Sequence, residues 1–219
     1  MITLLRALLY WIAVKPFVAL VLGVQAKGLT NLPRKGPAIL VANHNSHLDT
    51  LVLLSLFPFR QLQYVHPVAA GDYFFQGRFR RWFALHIVRV IAIDRKPTHA
   101  KGHPLAACQA ALDRGEILAI FPEGSRGRPE QLAPFKQGIA HLVADRPEVP
   151  ILPVYLSGTG KALPRGEALL VPHICKLTID EPFRGGTDRK AFMRELARRF
   201  AQLAQLDSST TPPTNGSTP

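Results

Sequence analysis

Ala38-Ile39-Leu40-Val41-Ala42-Asn43-His44-Asn45-Ser46-His47-Leu48-Asp49 is the stretch that decides the fold. Its first five residues form an unbroken apolar run, the pattern of a strand buried on both faces. Asn43 to His47 is a polar loop, and Leu48 to Leu56 is apolar enough for a buried helix. Ser46 with Asp49 three residues later fits a capping box at the start of that helix.

Outward from this unit the alternation continues. Phe74 to Leu85, with Arg78, Arg80, Arg81, Trp82 and Phe83, reads as a helix, and Val88 to Ile93 as a strand running into Asp94-Arg95. Pro104 to Asp113 is an Ala-rich helix closed by Gly115, and Ile117 to Phe121 is another strand. Strand, helix, strand implies a parallel pair joined by a right-handed crossover. Pro150 to Leu156 supplies a further buried strand. Phe192, Leu196, Phe200 and Leu203 recur at the spacing of an amphipathic helix. The expected fold class is therefore α/β: a single domain with a mostly parallel central sheet flanked by helices, preceded by an N-terminal membrane-associated helical segment. The expected boundaries are residues 1–27 for the anchoring segment, 28–206 for the domain, and 207–219 for a disordered Ser/Thr/Pro-rich tail. A chain of 219 residues has room for one such domain.

Leu4 to Val24 is almost continuously apolar, and about 20 such residues can cross a bilayer. Lys15 interrupts it, at a cost of about 2.5 to 3.5 kcal/mol on the insertion scale. Pro16 follows and breaks or kinks a helix. Two short helices in the membrane interface, with Arg6 and Lys15 reaching up to lipid phosphates, fit these residues better than a span. A cleaved signal ending at Val24-Gln25-Ala26 is the other competitor, but Lys15 interrupts its apolar region. The expected location is a membrane surface, on the cytoplasmic face of the inner or plasma membrane.

Lys and Arg number 27 against 15 Asp and Glu, a formal net charge of +12. Such a field attracts nucleic acid, an anionic membrane or a phosphorylated substrate. The basic residues are dispersed and no DNA- or RNA-binding motif is present, which argues against nucleic acid as partner. Cys108 and Cys175 lie far apart with no partner at metal-ligand spacing, and read as free thiols.

Two groups of residues stand where α/β sheets place their chemistry, at the carboxyl ends of strands. In the first, Asp49 lies five residues after His44, a plausible orienter for a histidine base. In the second, Phe121-Pro122-Glu123-Gly124-Ser125-Arg126-Gly127, small residues bend a loop closely and leave backbone N–H groups for an anion. Arg126 adds a bidentate fork for phosphate. Each has a plain structural explanation alone: a capped helix beside a packed histidine, and a solvated turn with a surface arginine. Their occurrence together at strand ends, with Arg95 at a third and Lys136 after another loop, points to one anion-binding site with a base.

This combination resembles the glycerolipid acyltransferase family that includes the 1-acylglycerol-3-phosphate acyltransferases. The first family block, His, four residues and Asp, is matched by His44 and Asp49. The second, an apolar-Asp-Arg sequence, is matched by Ile93-Asp94-Arg95, although Val90-Ile91-Ala92 stands where the family usually has a Gly and a Phe. The third, Phe-Pro-Glu-Gly-Ser/Thr-Arg, is unbroken as Phe121 to Arg126. The fourth is Val149-Pro150-Ile151-Leu152-Pro153-Val154. The resemblance covers roughly residues 28–183. It implies that His44 is a general base on the acceptor hydroxyl, which attacks an acyl thioester directly with Asp49 as orienter. It further implies that Arg95 and Arg126 hold the acceptor phosphate, that Glu123 positions its glycerol part within the Glu123-Gly124-Ser125-Arg126 loop, and that Lys136 assists. The implied acceptor is lysophosphatidate, giving phosphatidate. Another lysophospholipid, glycerol-3-phosphate or an acyl-amino-acid lipid precursor remains open as acceptor. The implied donor is acyl-CoA or acyl carrier protein, with no cofactor or metal. Asp72-Tyr73-Phe74-Phe75 and the arginine-rich helix after it lie between blocks, where specificity could be set.

Two other readings fall on spacing. His44, His47 and Asp49 suggest a metal-dependent hydrolase, but their spacing is not that of a His-x-His-x-Asp-His site. Ser157-Gly158-Thr159-Gly160-Lys161 suggests a phosphate loop, but Tyr155 and Ala162 stand where Gly and Ser/Thr are needed.

Overall fold

A computed structural model of the chain describes residues 2–70, 78–93, 104–125, 131–163 and 171–210. The strands are β1 (Gln25–Lys27), β2 (Ala38–Ala42), β3 (Val65–Ala70), β4 (Ile91–Ile93), β5 (Ile117–Ile120), β6 (Pro150–Ser157), β7 (Lys176–Ile179) and β8 (Phe183–Arg184). They form one sheet in the order β1-β7-β6-β2-β5-β3-β4, with β8 also on β6. Pairing is parallel except where β7 and β8 run antiparallel to β6. The α/β fold with a mostly parallel sheet is thus as expected.

β2 occupies the middle of this sheet, and all five of its residues are buried. Its side chains alternate between two cores. Ala38, Leu40 and Ala42 face a cluster closed by α2 (Lys15–Val21) and α3 (Leu48–Ser55), which follow α1 (Ile2–Leu9), through residues such as Tyr10, Val18, Leu22, Val52 and Leu53. Ile39 and Val41 face the opposite cluster with Cys108, Ala140, Phe192 and Phe200. A strand covered on both faces has no polar alternation, which is why this run reads as unbroken apolar sequence.

Several expectations are corrected. The strands expected to pair around the Ala-rich helix, β4 and β5, do not touch, because β3 is inserted between them. β3 escapes notice because His66 and Pro67 interrupt its apolar pattern. Pro67 is accommodated because β4 pairs with β3 only from Val68 onward, so its missing N–H falls on an unpaired edge. Residues 84–88, expected to lie in a helix and the start of a strand, form a π-helical turn that follows a helix at Arg78–Phe83. Arg89 then reverses the chain in the left-handed region, at φ 61°. The capping box forms by half: the Ser46 N–H donates to Asp49 Oδ2 at 2.7 Å, while the Ser46 hydroxyl turns to Leu163 O at 3.1 Å.

The N-terminal helices are joined by a π-helical turn, Tyr10–Val14. Arg6, Tyr10, Val18 and Leu22 are buried against the domain, and the Tyr10 hydroxyl donates to Phe57 O at 2.7 Å. Arg6 therefore does not reach outward as expected. It is 6% exposed and donates to Leu62 O at 2.9 Å. Burial pulls its guanidinium down to about 10. Lys15 lies over the Trp11 ring, 4.9 Å from its centroid. Leu5, Leu8, Trp11, Ile12 and Leu20 stay exposed on the other side, Ile12 at 67% and Leu20 at 83%. Among the described residues no helix is long and apolar enough to cross a membrane. β1 lies within the stretch expected as anchor and pairs with β7, so the sheet begins before residue 28. At the other end the C-terminal helix runs from Arg189 to Thr210, past the expected tail boundary at 207; residues 211–219 lie outside the described residues.

Candidate active site

β2 ends at Ala42, and the chain leaves the sheet directly before His44. The His44 Nδ1 meets Asp49 Oδ2 at 2.9 Å. Asp49 is fully buried, and the same oxygen accepts the Asn45 N–H at 2.6 Å and the Ser46 N–H at 2.7 Å. Three donors on one carboxylate oxygen fix the carboxylate, and the carboxylate fixes the ring. With Nδ1–H given to Asp49, the neutral imidazole carries its free lone pair on Nε2. One face of the ring stacks on Phe121, with centroids 4.3 Å apart, and the ring remains partly open to solvent.

Phe121 begins the second group of expected site residues, just past β5. Because β2 and β5 are adjacent and parallel, with Val41 opposite Ile120, their carboxyl ends deliver the two groups to one place. Gly124 turns the loop at φ +70° and donates its N–H to Phe121 O at 3.0 Å. A side chain here would be strained, and its Cβ would come within 2.9 Å of Lys136 Cε. The Lys136 N–H donates to Pro122 O at 2.9 Å, which ties its loop to the first. Lys136 and Ser125 are exposed beside Gly124.

Glu123 is held within the protein. Its carboxylate accepts the His44 N–H at 2.9 Å through Oε1 and the Ala133 N–H at 3.3 Å through Oε2. At 4% exposure it clamps three loops together. Burial lifts its carboxyl above the usual range, against the downward pull of these N–H bonds and of His44. Phe121, as the wall of the histidine, and Ala133, as a donor to Glu123, were not foreseen. The Phe-Pro-Glu-Gly block contained the first signal, and nothing in the sequence marks the second. The expected anion-binding Arg95 and Arg126 lie outside the described residues, as do Asp72 to Phe75. Among the described residues no three His, Cys, Asp or Glu side chains converge as metal ligands would.

A mostly parallel α/β sheet thus brings a carboxylate-held histidine and a Gly-turned, lysine-flanked loop to the carboxyl ends of neighbouring strands. The chain belongs to the acyltransferase family, whose sequence model, described as Acyltransferase, matches residues 23–157. It is 31% identical over 166 residues to the chloroplastic 1-acyl-sn-glycerol-3-phosphate acyltransferase BAT2 of Brassica napus, an alignment covering 73% of this chain and 44% of that protein. It is 33% identical over 135 residues to the human 1-acyl-sn-glycerol-3-phosphate acyltransferase alpha, covering 61% of this chain and 45% of that one. The chain thus spans less than half the length of these two relatives. The crystal structure of the 1-acyl-sn-glycerophosphate acyltransferase PlsC from Thermotoga maritima shares the fold. Its TM-score is 0.73 at 20% identity, over 91% of this chain and 80% of that one.

Proposed function

We propose that this protein transfers a fatty acyl group from acyl-CoA or acyl carrier protein to the free hydroxyl of lysophosphatidate, giving phosphatidate. The observation that carries the reading is the His44–Asp49 pair, which commits Nδ1 to the carboxylate beside the loop of Gly124. His44 Nε2 takes the proton of the acceptor hydroxyl as its oxygen bonds to the thioester carbonyl carbon. The C–S bond then breaks, and the leaving thiolate recovers the proton from the imidazolium. Asp49 stabilises that imidazolium without itself becoming protonated. No cofactor beyond the donor thioester is required.

Arg126 and Arg95 hold the acceptor's phosphate, with Lys136 adding charge beside Gly124. The exposed apolar face of Leu5, Leu8, Trp11, Ile12 and Leu20 rests in the outer layer of a lipid leaflet, where both acceptor and product reside. The net charge of +12 favours an anionic leaflet, as on the cytoplasmic side of an inner or plasma membrane.

The test is a panel of acceptors with each donor, using the full chain in mixed micelles, with products read by mass spectrometry. Phosphatidate formed from lysophosphatidate is the expected result. Product only from glycerol-3-phosphate, another lysophospholipid or a lyso-aminolipid would reassign the acceptor, and no acyl transfer to any of them would refute the reading.

A further inference from the structure

Asn43 and Asn45 stand on either side of His44, and each is 2% exposed. Both side chains converge on the backbone of a single residue, Leu156, near the end of β6. Asn43 Nδ2 donates to Leu156 O at 2.8 Å, and the Leu156 N–H donates back to Asn43 Oδ1 at 2.7 Å. Asn45 Nδ2 donates to the same Leu156 O at 2.9 Å. The backbone pairing of β2 with β6 runs only as far as Ala42 opposite Val154. A carboxamide carries a donor and an acceptor like a peptide group, so Asn43 continues that ladder with its side chain.

This substitution frees the backbone of residues 44–46 for other partners. The His44 N–H goes to Glu123, and the Asn45 and Ser46 N–H groups go to Asp49. An aspartate at 43 would set an oxygen against the Leu156 carbonyl, and an apolar residue would leave the Leu156 N–H without this acceptor. The residue type is thus demanded by the way the loop leaves the sheet.

We infer that Asn43 and Asn45 are positioning residues for acyl transfer, holding the peptides on both sides of His44 to β6 so that its ring meets Asp49. They act through His44 and need not touch substrate. This rests on the proposed role of His44 as base.

Asn45→Ala tests it most cleanly, because Leu156 O still accepts from Asn43. The variant is expected to stay folded by circular dichroism and to lose about 10- to 100-fold in kcat, the scale of a small misplacement. KM for donor and acceptor should stay within about twofold. The downfield Nδ1–H proton resonance of His44 should shift or vanish, a readout that needs no turnover. Should Asn45→Ala not fold, Asn45→Ser, neutral and without the carboxamide donor, takes its place with the same expectations. A wild-type kcat, a change in KM alone, or an unshifted resonance in a folded variant would overturn the inference. Absence of acyl transfer by the unmodified protein would instead refute the proposed function, while the resonance comparison would still decide this one.

Discussion

The imidazole of His44 is held through Nδ1 by Asp49 Oδ2 at 2.9 Å, and that oxygen also gathers the Asn45 and Ser46 N–H groups. One buried carboxylate therefore sets both the ring and the loop that carries it. Asp49→Asn can turn its single oxygen toward these donors and keep the loop, but it cannot stabilise an imidazolium. It is expected to fold normally and to lose roughly 100-fold or more in kcat, as measured in the acyl-transfer assay.

Glu123 gives a test with two readouts. A carboxyl whose folded pKa is raised stabilises the fold below its unfolded value, and that contribution is lost as the pH rises through the folded value. Glu123 is raised in this sense by burial. Glu123→Gln, neutral at every pH, should remove this part of the pH dependence of thermal stability. It should also lower kcat, because glutamine offers one acceptor where the His44 and Ala133 N–H groups need two. An unchanged acceptor KM would assign Glu123 to the loop, and a raised one to the acceptor's glycerol part.

Lys136→Ala and Arg126→Ala are expected to act on acceptor binding. Loss of a hydrogen bond to a charged group costs about 1.5 to 3 kcal/mol, roughly 10- to 100-fold in acceptor KM. Arg126, as a bidentate fork, should show the larger effect. A rise in donor KM alone would mean the anion site serves the donor.

The exposed face of the N-terminal helices can be probed without touching the core. Ile12→Glu with Leu20→Glu should weaken sedimentation with anionic liposomes and leave the melting temperature nearly unchanged, since both side chains are largely exposed. Phe200→Ala in the opposite core, where Phe200 is fully buried, should instead cost about 3 to 5 kcal/mol with no effect on liposome binding.

Glu195 reports on acid stability. Hydrogen bonds from Arg198 and Arg199 hold its carboxyl down to about 2. A depressed carboxyl stabilises the fold above its unfolded pKa and loses that contribution as the pH falls through its folded value. The difference in melting temperature between the unmodified chain and Glu195→Gln should therefore be present at neutral pH and vanish as the pH falls toward about 2.

Much of the site was legible because its residues cluster in short segments. Ala38 to Asp49 contains strand, turn and orienting carboxylate in twelve consecutive positions, and Phe121 to Arg126 shows its turn through Gly124. What was hidden depends on contacts across the chain. β3 carries Pro67 in an edge-facing position that only the sheet reveals. The burial of Arg6 depends on the Leu62 carbonyl, and local hydropathy cannot show such a partner. Asn43 and Asn45 read as loop polarity because their shared partner, Leu156, lies over a hundred residues away. The Glu123 clamp on the His44 and Ala133 N–H groups was missed for the same reason.

The central claim is that His44, oriented by Asp49, is the base that drives acyl transfer. Its most direct test is the rate of phosphatidate formation from lysophosphatidate by purified His44→Ala protein, matched to the unmodified chain for folded content by circular dichroism. A fall of roughly 100- to 10,000-fold is expected. A folded His44→Ala protein that forms phosphatidate at the unmodified rate would contradict the claim.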